Sequence, residues 1–350
     1  MSNFQKKERI LYFDVIKLFA VICVFTCHFA RTLEYYNIYY TFKIIPDYIF
    51  SLYLGSVGVS LFFIISGASL MYVYDDNINL VSYYKKRFLG IYPMFWIAYL
   101  IFFGLNFYVN KGFNNYSIPT WHLIYTLFGC DGAFAFFTGT FHLLGEWFLI
   151  VIILLYTIFP LVRVCVKRFP LITFIMSLAI SVILEFSWHF QMPIDAFFIA
   201  RIAEFIFGMI FIKYIKKVRI WMFIPALACL VIFSIFNFQP MPTMPHIILV
   251  GISLFLILVF IFSNIKLDIF IKISHFISKY CYPIFLVHHA LMMLFIRHFA
   301  GATLNKTNVI ILYIITAVLT LLGSSLLPKI TNIVQSCIQN LFDSACNSNK

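Results

Sequence analysis

Apolar runs of about twenty residues, the length a helix needs to cross a bilayer, recur along this whole chain and leave little choice of fold. They are apolar on every side, so they do not suit barrel strands, which alternate apolar and polar residues over ~10-residue segments. In lipid only helices and closed barrels satisfy their own backbone groups. Ten candidate spans can be drawn, at roughly 10–30, 52–73, 88–109, 146–165, 170–187, 197–214, 220–237, 246–263, 281–299 and 308–327. The expected fold is all-α: a polytopic membrane helix bundle of about ten transmembrane helices, forming one domain over 1–330 with a short tail at 331–350.

Of the residues, 63% are hydrophobic and 11% are charged, where soluble domains carry about 25% charged residues. That balance excludes a soluble enzyme, a disordered chain and a disulfide-rich secreted domain. Lys6, Lys7 and Arg9 ahead of the first run mimic a secretory leader. The run is nevertheless long enough to span, carries Asp14 and Lys17, and is followed by no A-x-A cleavage site. Cys23, Cys27, Cys165, Cys229 and Cys281 lie in or beside apolar runs and read as small buried hydrophobes. No CxxC pair or zinc-ligand spacing is present, so no metal is expected.

Cytoplasmic loops are enriched in Lys and Arg. With the N-terminus inside, 18 of the 25 basic residues fall on inner segments, and only Arg31, Lys43, Lys111, Arg297 and Lys306 fall outside. The bias recurs at every inner loop. It places both termini in the cytoplasm and the chain, many times crossed, in the cell membrane. It also puts the net charge of +12 on the inner face. There it meets anionic lipid or, more sharply, an anionic cytoplasmic cofactor. Nothing beyond charge points to nucleic acid.

Ionisable groups inside lipid are functional hypotheses by default, because burying them is costly. The first span holds Asp14, Lys17 and His28. Lys17 and His28 are eleven positions apart, about three turns and ~16 Å along one helix face. Asp14 and Lys17, three apart, are placed to pair. Position alone equally allows Lys17 to snorkel to the inner surface and His28 to mark the outer interface. Small residues from Gly55 to Gly67 in the second span suit close helix packing. Lys85-Lys86-Arg87 precede Pro93, which is expected to kink the third span and let Arg87 turn inward onto phosphate. Arg201 and Glu204 form an i, i+3 pair, Glu146 opens the fourth span, and His288-His289 lie within the ninth. Adjacent imidazoles on a helix diverge by about 100°, which argues against a metal there. The long connection at about 110–145, with Asn114, Asn115, Trp121, His122 and His142, has the length of a functional loop.

Together these segments resemble the acyltransferase 3 family of membrane acyltransferases, which O-acylate bacterial surface glycans and related acceptors. The segments that carry the likeness are Arg9 to Asp14 with Lys17 and His28; Gly58-Val59 to Ser66-Gly67; and Arg87, Tyr92-Pro93 and Trp96. They continue with Glu146-Trp147 to Pro160; Arg201, Glu204-Phe205 and Gly208; and Tyr282-Pro283 to His288. The family often has two arginines three apart in the third span. Here Arg87 stands at the first position and Gly90 at the second, while Lys17 replaces the usual arginine before the histidine.

The resemblance implies a membrane O-acyltransferase that moves an acyl group, most often acetyl, from cytoplasmic acyl-CoA to a hydroxyl of an extracytoplasmic or lipid-linked saccharide. It makes His28 the general base, with Asp14 orienting Lys17. Lys17, Lys86 and Arg87 would hold acetyl-CoA, and Glu146, Arg201 and His288 the acceptor side. The implied partners are a saccharide or glycolipid acceptor, membrane lipid and glycan-synthesis machinery. A transporter or flippase for a glycan or lipid precursor, or an inactive subunit of a glycan-synthesis complex, would also suit a many-span chain with internal charges.

Overall fold

The computed structural model describes residues 8–112, 117–141, 144, 146–236, 243–264 and 268–348; for Glu146, Asn264 and 338–348 it describes the backbone alone. The helices in chain order begin with α1 Leu11–Tyr35, α2 Leu54–Tyr74, α3 Leu80–Val109, α4 Leu123–Phe128, α5 Asp131–Phe134 and α6 Glu146–Arg168. They continue with α7 Pro170–Ser187, α8 Ile202–Ile210, α9 Ile220–Ile235, α10 Thr243–Asn264, α11 Asp268–Ile296 and α12 Lys306–Ser348. Four two-residue strands, β1 Tyr39–Tyr40, β2 Tyr48–Ile49, β3 Leu52–Tyr53 and β4 Thr303–Leu304, complete the elements. β1 pairs in parallel with β4, and β2 with β3 antiparallel.

Eight helices among the described residues, α1, α2, α3, α6, α7, α10, α11 and α12, are long and apolar enough to cross a membrane. The sixth and seventh predicted spans differ. Residues 197–201 are not helical, α8 has nine residues and passes into a π-helical turn at Phe211–Ile215, and α9 has 16 residues. At 1.5 Å per residue α9 is about 24 Å long, short of the ~30 Å hydrocarbon layer. Hydropathy counts apolar residues; it does not see where the helix starts. The helix α3 runs on through Pro93 without ending there. Neighbouring groups re-satisfy freed carbonyls in membrane helices, so an internal proline need not end one. At the far end α12 passes residue 330 without interruption.

The chain divides into two compact units, each made of separated stretches: 1–28, 45–80 and 151–279 in the first, 29–44, 81–150 and 280–350 in the second. The first is centred on α2, α8 and α10. A methyl at Gly67 would overlap the Phe205 carbonyl, and one at Gly208 the Ile64 carbonyl, so α2 and α8 meet backbone to backbone. Small residues permit that approach, and the contact energy comes from dispersion over the shared surface. Around it Leu61, Ile64, Phe207, Phe211 and Phe255 form an apolar core. The tight β2–β3 turn holds Phe50 and Ser51 at positive φ, and buried His246 binds the Phe50 carbonyl at 2.9 Å.

In the second unit the long connection turns back along α3. Tyr92, Trp96 and Tyr99, spaced along one face of that helix, donate hydrogen bonds to the carbonyls of Phe128, Leu127 and Phe141 at 3.3, 3.0 and 2.7 Å. Tyr92 precedes the end of α3 by seventeen residues, about 25 Å of helix. The connection thus lies beside the apolar helix, and its Trp121, Ile124, Leu127 and Phe128 are exposed.

Candidate active site

In the first unit α1 is one unbroken helix, so Lys17 and His28 keep the common face that their spacing requires; both are half-buried. Asp14, in the first turn where the helix dipole favours a carboxylate, is buried and pairs with Arg9 at 2.5 Å. His275 lies 3.9 Å from the same carboxylate. The expected pairing of Asp14 with Lys17 is therefore replaced. The Lys17 ammonium reaches Ser278 at 3.4 Å, and no carboxylate among the described residues lies within ion-pair distance of it. A guanidinium entering from ahead of the helix holds the acid through its Nε, which leaves Lys17 without it.

Arg201 and Glu204 form an ion pair of 2.9 Å with both side chains fully buried. The Arg201 guanidinium sits 5.0 Å from the Phe63 ring centre, and a methyl on Gly251 would collide with the Ser60 hydroxyl beside Glu204. Charge cancels inside the pair, but hydrogen bonding is incomplete. The guanidinium nitrogens and carboxylate oxygens make no well-aligned bond to another protein group.

Three cations counted on the inner face have specific work. Buried Arg163 donates to the carbonyls of Tyr74, Asp75 and Asp76 at 2.6, 2.6 and 3.1 Å. Lys167 donates to the Asp75 carbonyl, and Lys213 grips the Asp75 carboxylate at 2.6 and 2.9 Å. Together they cap the last turn of α2, whose carbonyls have no helical partner.

In the second unit Arg87 is half-buried with its guanidinium 5.9 Å from the Tyr83 ring centre, while Lys86 is exposed. The ring makes a cation–π contact and keeps the guanidinium close to α3. Gly90 faces open space, with nothing within 4 Å of an added methyl. His288 is buried, and its Nδ1 donates to the carbonyls of Ile284 and Phe285 at 3.0 and 2.8 Å. That bond sets the tautomer and makes Nε2 the accepting nitrogen. The side chain of Glu146 and the whole of Asn114, Asn115 and His142 lie outside the described residues.

Sequence reading missed two features here. Asp131, in the connection beside α3, is 1% exposed, and burial pushes its carboxyl up to about 6 against the pull of the Thr126 hydroxyl. A single acid in a long connection gives no spacing to detect. The other is a cavity of about 300 Å³ lined by Asn106, Asn110, His289, Arg297 and Tyr36 together with apolar residues. These come from three separated stretches, and only His289 belonged to a noticed motif.

Residues 10–327 match the family profile described as an acyltransferase domain, acyltransferase 3. Over 86 residues the chain is 29% identical to the acyltransferase MdmB of Streptomyces mycarofaciens, a stretch covering 25% of this chain and 21% of that protein. No solved structure matches.

Proposed function

As a member of the acyltransferase 3 family this chain is by class a membrane acyltransferase, and we propose that it carries an acyl group, acetyl first among the candidates, from cytoplasmic acyl-CoA to a saccharide hydroxyl across the cell membrane. The observation that carries this reading is the single helix α1, which presents Lys17 and half-buried His28 on one face. His28 takes the proton of the acceptor hydroxyl. The alkoxide oxygen bonds to the thioester carbonyl carbon, the C–S bond breaks, and the CoA thiolate recovers the proton from the imidazolium. Lys17, Arg87 and Lys86 supply cations for the phosphates or thioester of the donor. Lys17 suits this because its local acid is held by Arg9. His288, with Nε2 accepting, and Glu146 serve the acceptor side. Arg201, sealed against Glu204, fits a structural role better than contact with substrate.

The test uses purified full-length protein in lipid nanodiscs with labelled acetyl-CoA and a surface-glycan extract. His28→Ala is expected to lower transfer by about 10²–10⁴-fold, the usual contribution of a general base, with unchanged thermal unfolding. Transfer at the wild-type rate by the variant would overturn the assignment. Movement of acceptor across the membrane without acyl-CoA would replace it with transport.

A further inference from the structure

The cavity in the second unit lies where α3 and α11 end, at Asn106 and Asn110 on and just beyond one helix and His289 to Arg297 on and just beyond the other. In the orientation with the N-terminus inside, both helices run outward, so this is the extracytoplasmic end. Arg297 is one of only five cations on that side. Arg31 pairs with Glu34 at 3.1 Å, and Lys306 lies over the Phe42 ring. Among the described residues Arg297 has no carboxylate within ion-pair distance, and none that lines the cavity is acidic.

The hydrogen bonds give the cavity a direction. A guanidinium only donates, so its 3.4 Å contact with Asn110 sets the Asn110 oxygen toward Arg297. The Asn110 amide nitrogen then donates to the Asn106 oxygen at 2.8 Å. The Tyr36 hydroxyl donates to the Met293 carbonyl at 3.1 Å. Both amide oxygens are engaged from within. Donor capacity remains on the guanidinium and the Asn106 amide nitrogen, above an apolar wall of Phe102, Met293 and Leu294. Donors over an apolar floor suit a ring that carries an anionic oxygen group. The volume of about 300 Å³ is at the small end of ligand sites, enough for one sugar residue.

We propose that this cavity binds the carboxylate or phosphate of an acidic sugar in the acceptor, with Arg297 as the specificity-determining residue. The assignment rests on the acyl-acceptor reading above, but its test needs no transfer. The full chain in phosphatidylcholine nanodiscs, without acyl-CoA, is titrated with glucuronate, galacturonate, sialic acid and mannose 6-phosphate, and with the neutral parent sugars. At least one acid is expected to bind about 10–100-fold tighter than its parent, the scale of a charge-assisted hydrogen bond. Arg297→Gln is expected to bring that ratio to about one, and Arg297→Lys, which keeps charge without the planar fork, to leave part of it. Equal binding of acids and neutral sugars, no binding of either, or a preference that survives Arg297→Gln would each overturn the proposal. Phosphatidylglycerol in the discs separates the other anion source. Loss of acid binding in its presence would make the cavity a lipid-headgroup site and also overturn the saccharide assignment. Failure of acyl transfer with acid binding intact would count against the proposed reaction alone.

Discussion

The two units handle polar groups inside an apolar chain in opposite ways. In the first unit the charges described above, Lys17 apart, are consumed locally: Arg201 by Glu204, Arg9 by Asp14, and Arg163, Lys167 and Lys213 by the end of α2. Around the C-terminal ends of α3 and α11, polar groups gather on a cavity, and among the described residues the guanidinium there has no acid within ion-pair distance. An ionisable residue in a membrane helix therefore does not mark a binding site by its presence. What separates the two cases is whether its complement sits within reach.

The sharpest way to break that contrast is at the sealed pair. Arg201→Ala, which strands Glu204 in the core, is expected to cost about 3–5 kcal/mol of stability. Arg201→Met combined with Glu204→Gln should recover most of it, read by thermal unfolding in detergent. A double variant that folds yet transfers no acyl group would move the pair from scaffold to reaction site. Next comes the helix contact: Gly208→Val drives side-chain carbon into the Ile64 carbonyl. It should cost about 3 kcal/mol, at the upper end for overpacking, and a stability loss below a few tenths would refute backbone-to-backbone packing of α2 and α8.

Asp131 tests the second unit. Its folded pKa, raised from 3.8 to about 6, means that the folded state holds the proton more tightly. The stability it contributes is full below the unfolded value and is lost as pH rises through the folded one. Asp131→Asn, neutral throughout, should stabilise the protein at pH above that window by about 1–3 kcal/mol and flatten the melting profile across it; an unchanged profile would contradict this. The smallest effect concerns the donor side. Gly90→Arg enters open space, so stability should change by less than about 0.5 kcal/mol. The second guanidinium should lower KM for acetyl-CoA by about 3–10-fold, with the scale set by added charge-assisted contacts. A higher KM would separate this helix from donor binding.

Much of the architecture was legible without coordinates, because long apolar runs have one solution in lipid. The eight long helices coincide with eight of the ten predicted spans. The other two spans hold shorter helices: α8 begins only at Ile202, five residues into its span, and passes into a π-helical turn at Phe211, while α9 ends at Ile235 after 16 residues. The spacing of Lys17 and His28 survived because it depends only on helix pitch. The pairing of Asp14 with Lys17 did not, since Arg9 lies outside the helix and no periodic rule includes it. The glycines of α2 announced close approach, yet their partner, α8, was decided by folding.

What the order of residues determined by itself was solvent and element: a membrane, helices, basic segments between alternate spans, and a family likeness spread along the chain. Partnership belonged to the tertiary structure. Which cation met which acid, which carbonyls Arg163 capped, and that Asn106, Asn110 and Arg297 line one cavity all depend on residues far apart in the chain. Hydrophobic length is a local sum, whereas charge complementarity is a matter of distance in space, which the linear order does not contain.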